Sequence, residues 1–169
     1  MKKSLLSILF LAVVAAFAGA AITYVNGLTE PVIELNAANE EKAELEHIFP
    51  GGEFKEIEGY EKNDCILAVY EVKDKGYIVK ATAYGYNTST PITVLVAFDN
   101  EGKTVALSPL SQQETSGYGS NCFEEDFINS TYVGKTEDDV IDVWSGATRT
   151  SEAMRKIMAA AFRTVQEVR

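Results

Sequence analysis

The stretch Asp142-Val-Trp-Ser-Gly-Ala-Thr-Arg-Thr150 places two small residues between two hydroxyl residues, directly before a segment with helical periodicity. The small residues are Gly146 and Ala147, and the hydroxyl residues are Ser145 and Thr148. Small residues let a backbone approach a ligand closely, and the N-terminus of a helix offers free N–H groups to an anion such as phosphate. Serine and threonine also cap helices through local hydrogen bonds. From these residues alone, an anion site and an ordinary helix cap both remain open.

The segment that follows, from residue 151 to residue 169, is predicted to be an amphipathic helix. Its apolar residues recur at spacings of three and four, which places them on one side of the helix. The N-terminus of this helix points at Thr148, where a bound phosphate is electrostatically favourable. The residues predicted to lie on the apolar side are Ala153, Ile157, Ala160, Ala161, Thr164, Val165 and Val168.

The region from residue 54 to residue 110 is rich in Val, Ile, Tyr and Phe and is divided by turn sequences, which is typical of an antiparallel sheet. Asp99-Asn-Glu-Gly102 is predicted to be a hairpin turn between the last two strands. Together with the helices on either side, this pattern predicts an α+β fold. The predicted strands cover residues 54–57, 64–72, 77–86, 92–98 and 103–110.

The N-terminus carries Lys2 and Lys3 ahead of an uncharged, mostly apolar run from residue 5 to about residue 25, which is long enough to cross a bilayer as a helix. By the positive-inside rule, the N-terminus is cytoplasmic and the folded domain lies outside. We therefore expect a single-pass protein of the inner or plasma membrane, with an anchor at residues 1–27 and one extracytoplasmic domain at residues 28–169. Ala18-Gly-Ala20 could instead be a signal-peptidase site. The retained anchor is favoured because the apolar run continues past that site.

A second helix is predicted from residue 36 to residue 49, after the chain leaves the membrane at Leu28-Thr-Glu-Pro31. Pro50-Gly-Gly52 ends this helix. The pattern therefore predicts two separate helices before the sheet begins. The apolar residues of the second helix are Ala37, Ala38, Leu45 and Ile48.

The 169-residue chain carries a formal net charge of −10, which argues against nucleic acid because phosphate backbones need clustered Lys and Arg. Its His, Cys, Asp and Glu residues do not have the spacing of a metal site, so no metal is expected. The lone His47 is predicted to lie at the end of a helix. Cys65 and Cys122 could form a disulfide outside the cytoplasm, or Cys65 could be a buried thiol within an apolar run.

A second glycine-containing loop, Glu114-Thr-Ser-Gly-Tyr-Gly119, follows the last predicted strand. Gly117 and Gly119 would let the backbone approach a planar ligand, while Glu114 and Thr115 provide a carboxylate and a hydroxyl. The same residues would also suit an ordinary polar surface loop.

Asp142-x-x-Ser145-Gly-Ala-Thr148 resembles the flavinylation motif Asp-x-x-Ser/Thr-Gly-Ala-Thr of the RnfG and NqrC family. These proteins are the FMN-binding subunits of the Rnf and Na+-pumping NADH:quinone oxidoreductase complexes. Glu114-Thr-Ser-Gly-Tyr-Gly119 is similar to the family loop Glu-Thr-Pro-Gly-Leu-Gly, which packs against the flavin ring. Ser116 stands where the family has proline, which makes the loop less rigid, and Tyr118 stands where it has leucine. The short chain with one N-terminal helix is more similar to RnfG than to the longer NqrC proteins.

The resemblance implies a flavoprotein in which Thr148 carries FMN through a phosphoester bond. The FMN would be added after export by a Mg-dependent flavin transferase that uses FAD as donor and recognises Asp142. The chain would be an electron-relay subunit of a membrane Rnf-type complex that couples ferredoxin and NAD to Na+ or H+ movement. Its partners would be the other membrane subunits and the transferase. The implied cofactor-binding residues are Thr148, Ser145, Gly146, Ala147, Glu114, Thr115, Gly117, Tyr118 and Gly119.

Two other interpretations stay open beside the relay subunit. One is a free-standing membrane-anchored flavoprotein for extracellular electron transfer, and the other is a cofactor-free anchored binding module. The sequence has no Ser/His/Asp set and no Gly-x-Gly-x-x-Gly fingerprint after a strand, so we expect no complete active site and expect NADH to bind another subunit. Trp144 could belong to the core or to the wall of a flavin pocket. Tyr84-Gly-Tyr86 is predicted to pack across neighbouring strands.

Overall fold

The computed structural model describes residues 2–61 and 63–169 of the chain. It divides into two compact units, Met1–Lys42 and Ala43–Arg169. The first unit consists of most of helix α1, and the second contains the sheet and the remaining helices. In chain order the elements are α1 (Lys2–Ile48), β1 (Phe54–Glu56), β2 (Ile66–Val72), β3 (Gly76–Ala83), β4 (Ile92–Phe98), β5 (Thr104–Ser111), a short 3-10 helix (Gly119–Phe123), α2 (Glu125–Thr131) and α3 (Thr148–Val168).

Helix α1 is continuous and contains Pro31, whereas the sequence predicted two helices separated near that residue. The predicted break was wrong, because α1 continues through Pro31 despite the hydrogen bond that a proline removes. The chain that follows Pro31 is rich in Glu, Leu and Ala, which favour the helix. The stretch Leu6–Ile48 includes a segment long and apolar enough to cross a membrane, and its large apolar side chains up to Leu35 are exposed. This helix is therefore the candidate membrane anchor.

The five strands form one antiparallel sheet in the order β1-β2-β3-β4-β5, which confirms the predicted meander and the α+β class. Strand β4 has its predicted bounds, and its register pairs Phe98 with Tyr77 of β3. The predicted hairpin turn joins β4 to β5, since the Gly102 N–H donates to the Asp99 carbonyl over 3.1 Å. Strand β3 ends at Ala83 instead of continuing to residue 86, which leaves the following residues free to turn away from the sheet.

Helix α3 covers one face of the sheet with the apolar side that the sequence predicted. Ile157 and Val165 of this side are buried against the sheet. Phe162 is also buried and packs edge-on against Phe98 of β4, with 5.3 Å between the ring centroids. Burying a large apolar side chain stabilises a fold by about 1.5–3 kcal/mol, so this face forms the main core. Met154 and Met158 of the same helix are fully buried and were not predicted.

The opposite face of the sheet is covered within the second unit by the end of α1. Leu45 packs into a cluster that includes Ile78 of β3 and Leu95 of β4. The hydroxyl of Ser108 on β5 donates to Glu44 Oε2 over 2.7 Å. Strand β4 is consequently buried on both faces, which explains why its sequence is an almost continuous apolar run.

Candidate functional site

The two glycine-containing stretches meet in space around one cavity of about 390 Å³. Glu114, Thr115, Tyr118 and Gly119 line it from the first stretch, and residues 146–150 line it from the second. Tyr86, which follows β3, completes the wall. Ligand pockets commonly measure about 300–1,000 Å³, so the cavity is large enough for a small cofactor.

A tight turn leads the chain into the cavity wall before α3. The Ala147 N–H donates to the Trp144 carbonyl over 3.1 Å, which closes a turn with Gly146 at its third position. Gly146 has a φ of +89°, a value that glycine adopts without the steric cost that a side chain brings. Glycine at this position therefore stabilises the turn that brings residues 147–150 to the cavity.

Helix α3 begins at Thr148, three residues earlier than the sequence predicted. Ala147 occupies the cap position, and no side chain makes a capping hydrogen bond there. The interpretation of Ser145 and Thr148 as side-chain caps was therefore wrong. Sequence rules locate a helix start by its capping side chain, and this start is set by the preceding turn instead.

The first turn of α3 presents unpaired backbone donors at the cavity. Its first backbone hydrogen bond runs from the Ser151 N–H to the Ala147 carbonyl over 2.9 Å. The amides of residues 148–150 precede that bond and, as in any helix, point toward the N-terminus. Thr148 itself is exposed, and the neighbouring Arg149 also lines the cavity. Free amides, the helix dipole and an arginine together suit a phosphate group.

The loop from Glu114 to Gly119 is held in shape by its own hydrogen bonds. The Tyr118 N–H donates to the Thr115 carbonyl over 3.1 Å, and Gly117 has a φ of +77° at the third position of that turn. This is a type II arrangement, in which the second position commonly carries proline. Ser116 occupies that position here.

Glu114 is buried at the back of the cavity and binds protein groups from two other segments. Its carboxylate accepts the N–H groups of Tyr86 and Asn87, each over 3.1 Å. The Thr150 hydroxyl donates to Glu114 Oε2. The sequence suggested that the Glu114 carboxylate faces a ligand, and in the structure the carboxylate makes its hydrogen bonds to the cavity wall. Glu114 therefore joins three walls of the cavity.

The packing around Glu114 leaves no room for a side chain at Gly119. A Cβ atom there would lie 2.7 Å from Thr150 Oγ1 and 2.8 Å from Glu114 Oε2. Gly85 is restricted in the same way, since its Cβ would lie 2.7 Å from Glu114 Oε1. These two glycines are therefore needed for close approach of the walls.

Four residues named from the sequence do not line the cavity. Ser145 and Asp142 are exposed beside it, and Gly117 lies at the outer side of its turn. Trp144 lies outside the cavity lining and packs edge-on against Phe127 of α2, with 5.0 Å between ring centroids. Of the two interpretations of Trp144, the structure therefore supports packing against the protein.

Tyr84 and Tyr86 are both exposed, with 61% and 65% of their surfaces accessible. The prediction that they pack across strands was wrong because β3 ends at Ala83 and the chain then turns toward Glu114. Tyr86 thereby becomes a cavity residue. Arg149 and Thr150 also line the cavity, which was not predicted from the sequence. Their position directly after the Ser145–Thr148 stretch could have indicated it.

Cys122 is fully buried behind the cavity, and its Sγ atom lies 3.7 Å from Ser151 Oγ. Burial raises the pKa of the Cys122 thiol, while the hydrogen bond with Ser151 opposes that shift. Cys65 is half-buried, and both thiols are free. The sequence left open a disulfide between them or a buried Cys65 thiol; the structure has no such disulfide, and Cys65 is half-buried instead of buried.

Comparison with known proteins agrees with this fold and cavity. Residues 85–163, which contain both glycine stretches and Tyr86, match the family model of the FMN-binding domain. The chain is also 30% identical over 122 residues to the G subunit of the proton-translocating ferredoxin:NAD(+) oxidoreductase complex of Clostridium ljungdahlii. That alignment covers 66% of this chain and 64% of the relative, so it spans slightly less than two thirds of the relative's length. The chain thus contains a segment similar to the FMN-binding domain, and it resembles a G subunit of that kind of oxidoreductase complex.

The residues around the cavity fit FMN. The free amides at the start of α3 and Arg149 suit the phosphate, and Tyr86 and Tyr118 offer aromatic surface to a flat ring. Gly119, whose missing side chain lets the walls approach closely, also lines this cavity.

Proposed function

We propose that this protein is an electron-relay subunit that carries covalently bound FMN in a membrane Rnf-type complex. That complex would couple electron transfer between ferredoxin and NAD to Na+ or H+ translocation. The observation that carries the proposal is the meeting of the two glycine stretches at one cavity, with the exposed Thr148 as the first residue of α3. The similarity to one subunit of a proton-translocating ferredoxin:NAD(+) oxidoreductase complex supports the same role.

Thr148 is the proposed attachment residue. Its side chain is exposed, so a modifying enzyme can reach the hydroxyl, and its own N–H is one of the unpaired donors at the helix start. A phosphoester on Thr148 Oγ1 would therefore lie beside the free amides and Arg149, which stabilise negative charge. Asp142 is the proposed recognition residue for the flavin transferase, and it is also exposed.

The remaining cavity residues are proposed to orient the cofactor. Tyr86 and Tyr118 provide its aromatic walls, and Thr115 adds a hydroxyl. Glu114 holds the walls together through its three hydrogen bonds. When bound, FMN supplies the ability to accept and donate electrons. The protein contributes the attachment of the cofactor, its orientation and the electrostatic field around it.

Helix α1 is proposed to anchor the domain in the membrane, with Lys2 and Lys3 on the cytoplasmic side and the sheet outside. The proposed partners are the other membrane subunits of the complex, one of which would bind NADH, and the flavin transferase during maturation. Isolation in mild detergent tests this part of the proposal. A relay subunit should co-purify with other integral membrane subunits, whereas isolation of the chain alone would favour a free-standing flavoprotein.

The attachment is tested on full-length protein from a host that contains the flavin transferase. Intact mass and in-gel flavin fluorescence after denaturation would be compared for wild type, Thr148→Ala and the control Thr88→Ala, which removes an exposed threonine outside the cavity. We expect one FMN-sized adduct and a fluorescent band in wild type and Thr88→Ala, and neither in Thr148→Ala. A wild-type protein without the adduct would contradict covalent attachment.

A further inference from the structure

The segment from Ile141 to Ala147 has neither helix nor strand, yet every third residue of it is fixed to the body of the domain. Ile141 is buried, and its carbonyl accepts a hydrogen bond from Arg155 Nε over 2.7 Å. The Trp144 N–H donates to Ser151 Oγ over 3.0 Å. Ala147 is buried at the cap of α3. The segment is therefore held at three regularly spaced points.

Each fixed residue is followed by an exposed residue of the motif Asp142–Thr148, called here the attachment stretch. Asp142 follows Ile141, Ser145 follows Trp144, and Thr148 follows Ala147, and all three of these following residues are exposed. An unsupported coil would sample many backbone conformations, and fixing each residue costs about 1–2 kcal/mol of conformational entropy. The contacts to the domain order the segment during folding, so a binding partner does not have to supply this entropy cost. The stretch is therefore preorganised.

Two of the three fixed points depend on side chains of α3 that lie outside the attachment stretch. Ser151 and Arg155 are four residues apart, so they project from the same side of the helix. Ser151 is fully buried and also contacts Cys122 Sγ. The third point, Ala147, is the cap of the same helix. One side of α3 thus sets the path of the whole segment.

We infer that Ser151 and Arg155 are positioning residues for the modification of Thr148, because they hold residues 141–147 in the shape that the flavin transferase binds. The inference rests on the proposed function, since it assumes that Thr148 is modified. It adds that the acceptor in this protein is the exposed side of residues 141–148, in the path that Ser151 and Arg155 of α3 maintain.

The transfer itself involves Thr148 Oγ1 and the diphosphate of FAD. A bond forms between Oγ1 and the phosphorus on the flavin side, and the bond between that phosphorus and the bridging oxygen breaks. AMP leaves with the bridging oxygen, and the hydroxyl proton of Thr148 is released. No electron is gained or lost by the protein. Ser151 and Arg155 act before this step, by keeping the acceptor segment in a competent conformation.

The test measures transfer from FAD to full-length protein in detergent, using purified transferase with Mg2+ and intact mass as the readout. Arg155→Met removes the donor to Ile141, and Ser151→Ala removes the acceptor for Trp144. Arg163→Met is the matched control, because Arg163 is an exposed arginine of α3 for which the described chain shows no hydrogen bond. If a variant holds the competent shape for about one tenth of the time, its apparent affinity for the transferase falls about tenfold. We therefore expect kcat/KM to fall about tenfold in both variants through a higher KM, and to stay unchanged in Arg163→Met.

A separate measurement distinguishes positioning from general damage to the fold. Hydrogen exchange of the Trp144 amide should become faster in Ser151→Ala, while exchange in the β4 strand should stay slow. Thermal unfolding of the same samples shows whether each variant is folded, and Ser151→Ala keeps the test decisive if Arg155→Met does not fold. Unchanged kcat/KM in folded Ser151→Ala would overturn the inference while leaving the attachment proposal intact. Absence of transfer to wild type would instead contradict the attachment proposal itself.

Discussion

The hydroxyl of Thr150 donates a hydrogen bond to Glu114 Oε2, which joins the first turn of α3 to the loop that precedes the 3-10 helix. Both residues are buried, with 1% and 8% of their surfaces accessible. The same carboxylate accepts two backbone N–H groups from the chain after β3. Three parts of the chain thus depend on one side chain.

Glu114→Ala is expected to lower the free energy of unfolding by about 2–4 kcal/mol, because it leaves buried donors without an acceptor. Thr150→Val removes a single donor and should cost less, about 1–2 kcal/mol. Urea denaturation of the detergent-solubilised protein measures both values. Glu152→Ala is the control, since Glu152 is an exposed carboxylate of α3 and its loss should change stability by no more than about 0.5 kcal/mol. Equal stabilities of Glu114→Ala and Glu152→Ala would contradict this account of the cavity.

Gly119→Ala is expected to weaken binding of free FMN to unmodified protein. The new methyl group would lie 2.7 Å from Thr150 Oγ1 and 2.9 Å from Glu114 Cβ, so the cavity walls must move apart. Overpacking of this kind costs about 1–3 kcal/mol, and a loss of about 1.4 kcal/mol weakens binding tenfold. Flavin fluorescence titration of Thr148→Ala protein, with and without the glycine change, measures the effect.

Gly59→Ala provides the control for backbone strain in the same titration. Gly59 has a φ of +107°, and no atom lies within 4 Å of the position of its Cβ. This substitution strains the backbone at a position outside the cavity lining, so it should leave FMN affinity unchanged. Similar losses of affinity for Gly59→Ala and Gly119→Ala would show that steric pressure at the cavity is not the cause.

The two cysteines should differ in reactivity, and Cys122 should affect stability at high pH. A maleimide at neutral pH is expected to label the half-buried Cys65 in the folded protein and to label Cys122 only after unfolding. Burial raises the pKa of the Cys122 thiol above its value in the unfolded chain. Its contribution to stability is therefore complete below the unfolded pKa of about 8.5 and is lost as the pH rises through the folded pKa.

The pH effect is measured as the difference in unfolding free energy between wild type and Cys122→Ala from pH 7 to pH 10. That difference should shrink above about pH 8.5, where the unfolded chain ionises its thiol first. Peptide mapping by mass spectrometry locates the maleimide. Labelling of Cys122 in folded protein would contradict its burial.

The sheet and the apolar side of α3 could be predicted because local sequence determines them. Strand β4 has the predicted bounds, since a run of β-branched and aromatic residues between turn sequences favours a strand without further help. The prediction of the turn at residues 99–102 was correct for the same reason, because its aspartate and glycine provide local hydrogen bonds and a positive φ.

The cavity walls could be predicted only in part because distant residues shape them. Glu114 binds Asn87 and Thr150, which lie 27 and 36 residues away in the chain, and no local pattern reports such contacts. Strand β3 ends at Ala83, the Tyr86 N–H after it also donates to Glu114, and the Tyr86 side chain is exposed. The start of α3 was misplaced because Ala147 caps the helix without a side-chain hydrogen bond.

The cavity gathers residues from three parts of the chain, and the part that completes it belongs to α3, which follows every other element in chain order. A nascent or truncated chain without α3 therefore has neither the free amides at Thr148 nor the contacts that hold Asp142 and Ser145 in place. Under the proposed modification, the attached flavin would serve as a record of maturation. A chain that carries the flavin would then be one in which α3 had folded before the transferase acted.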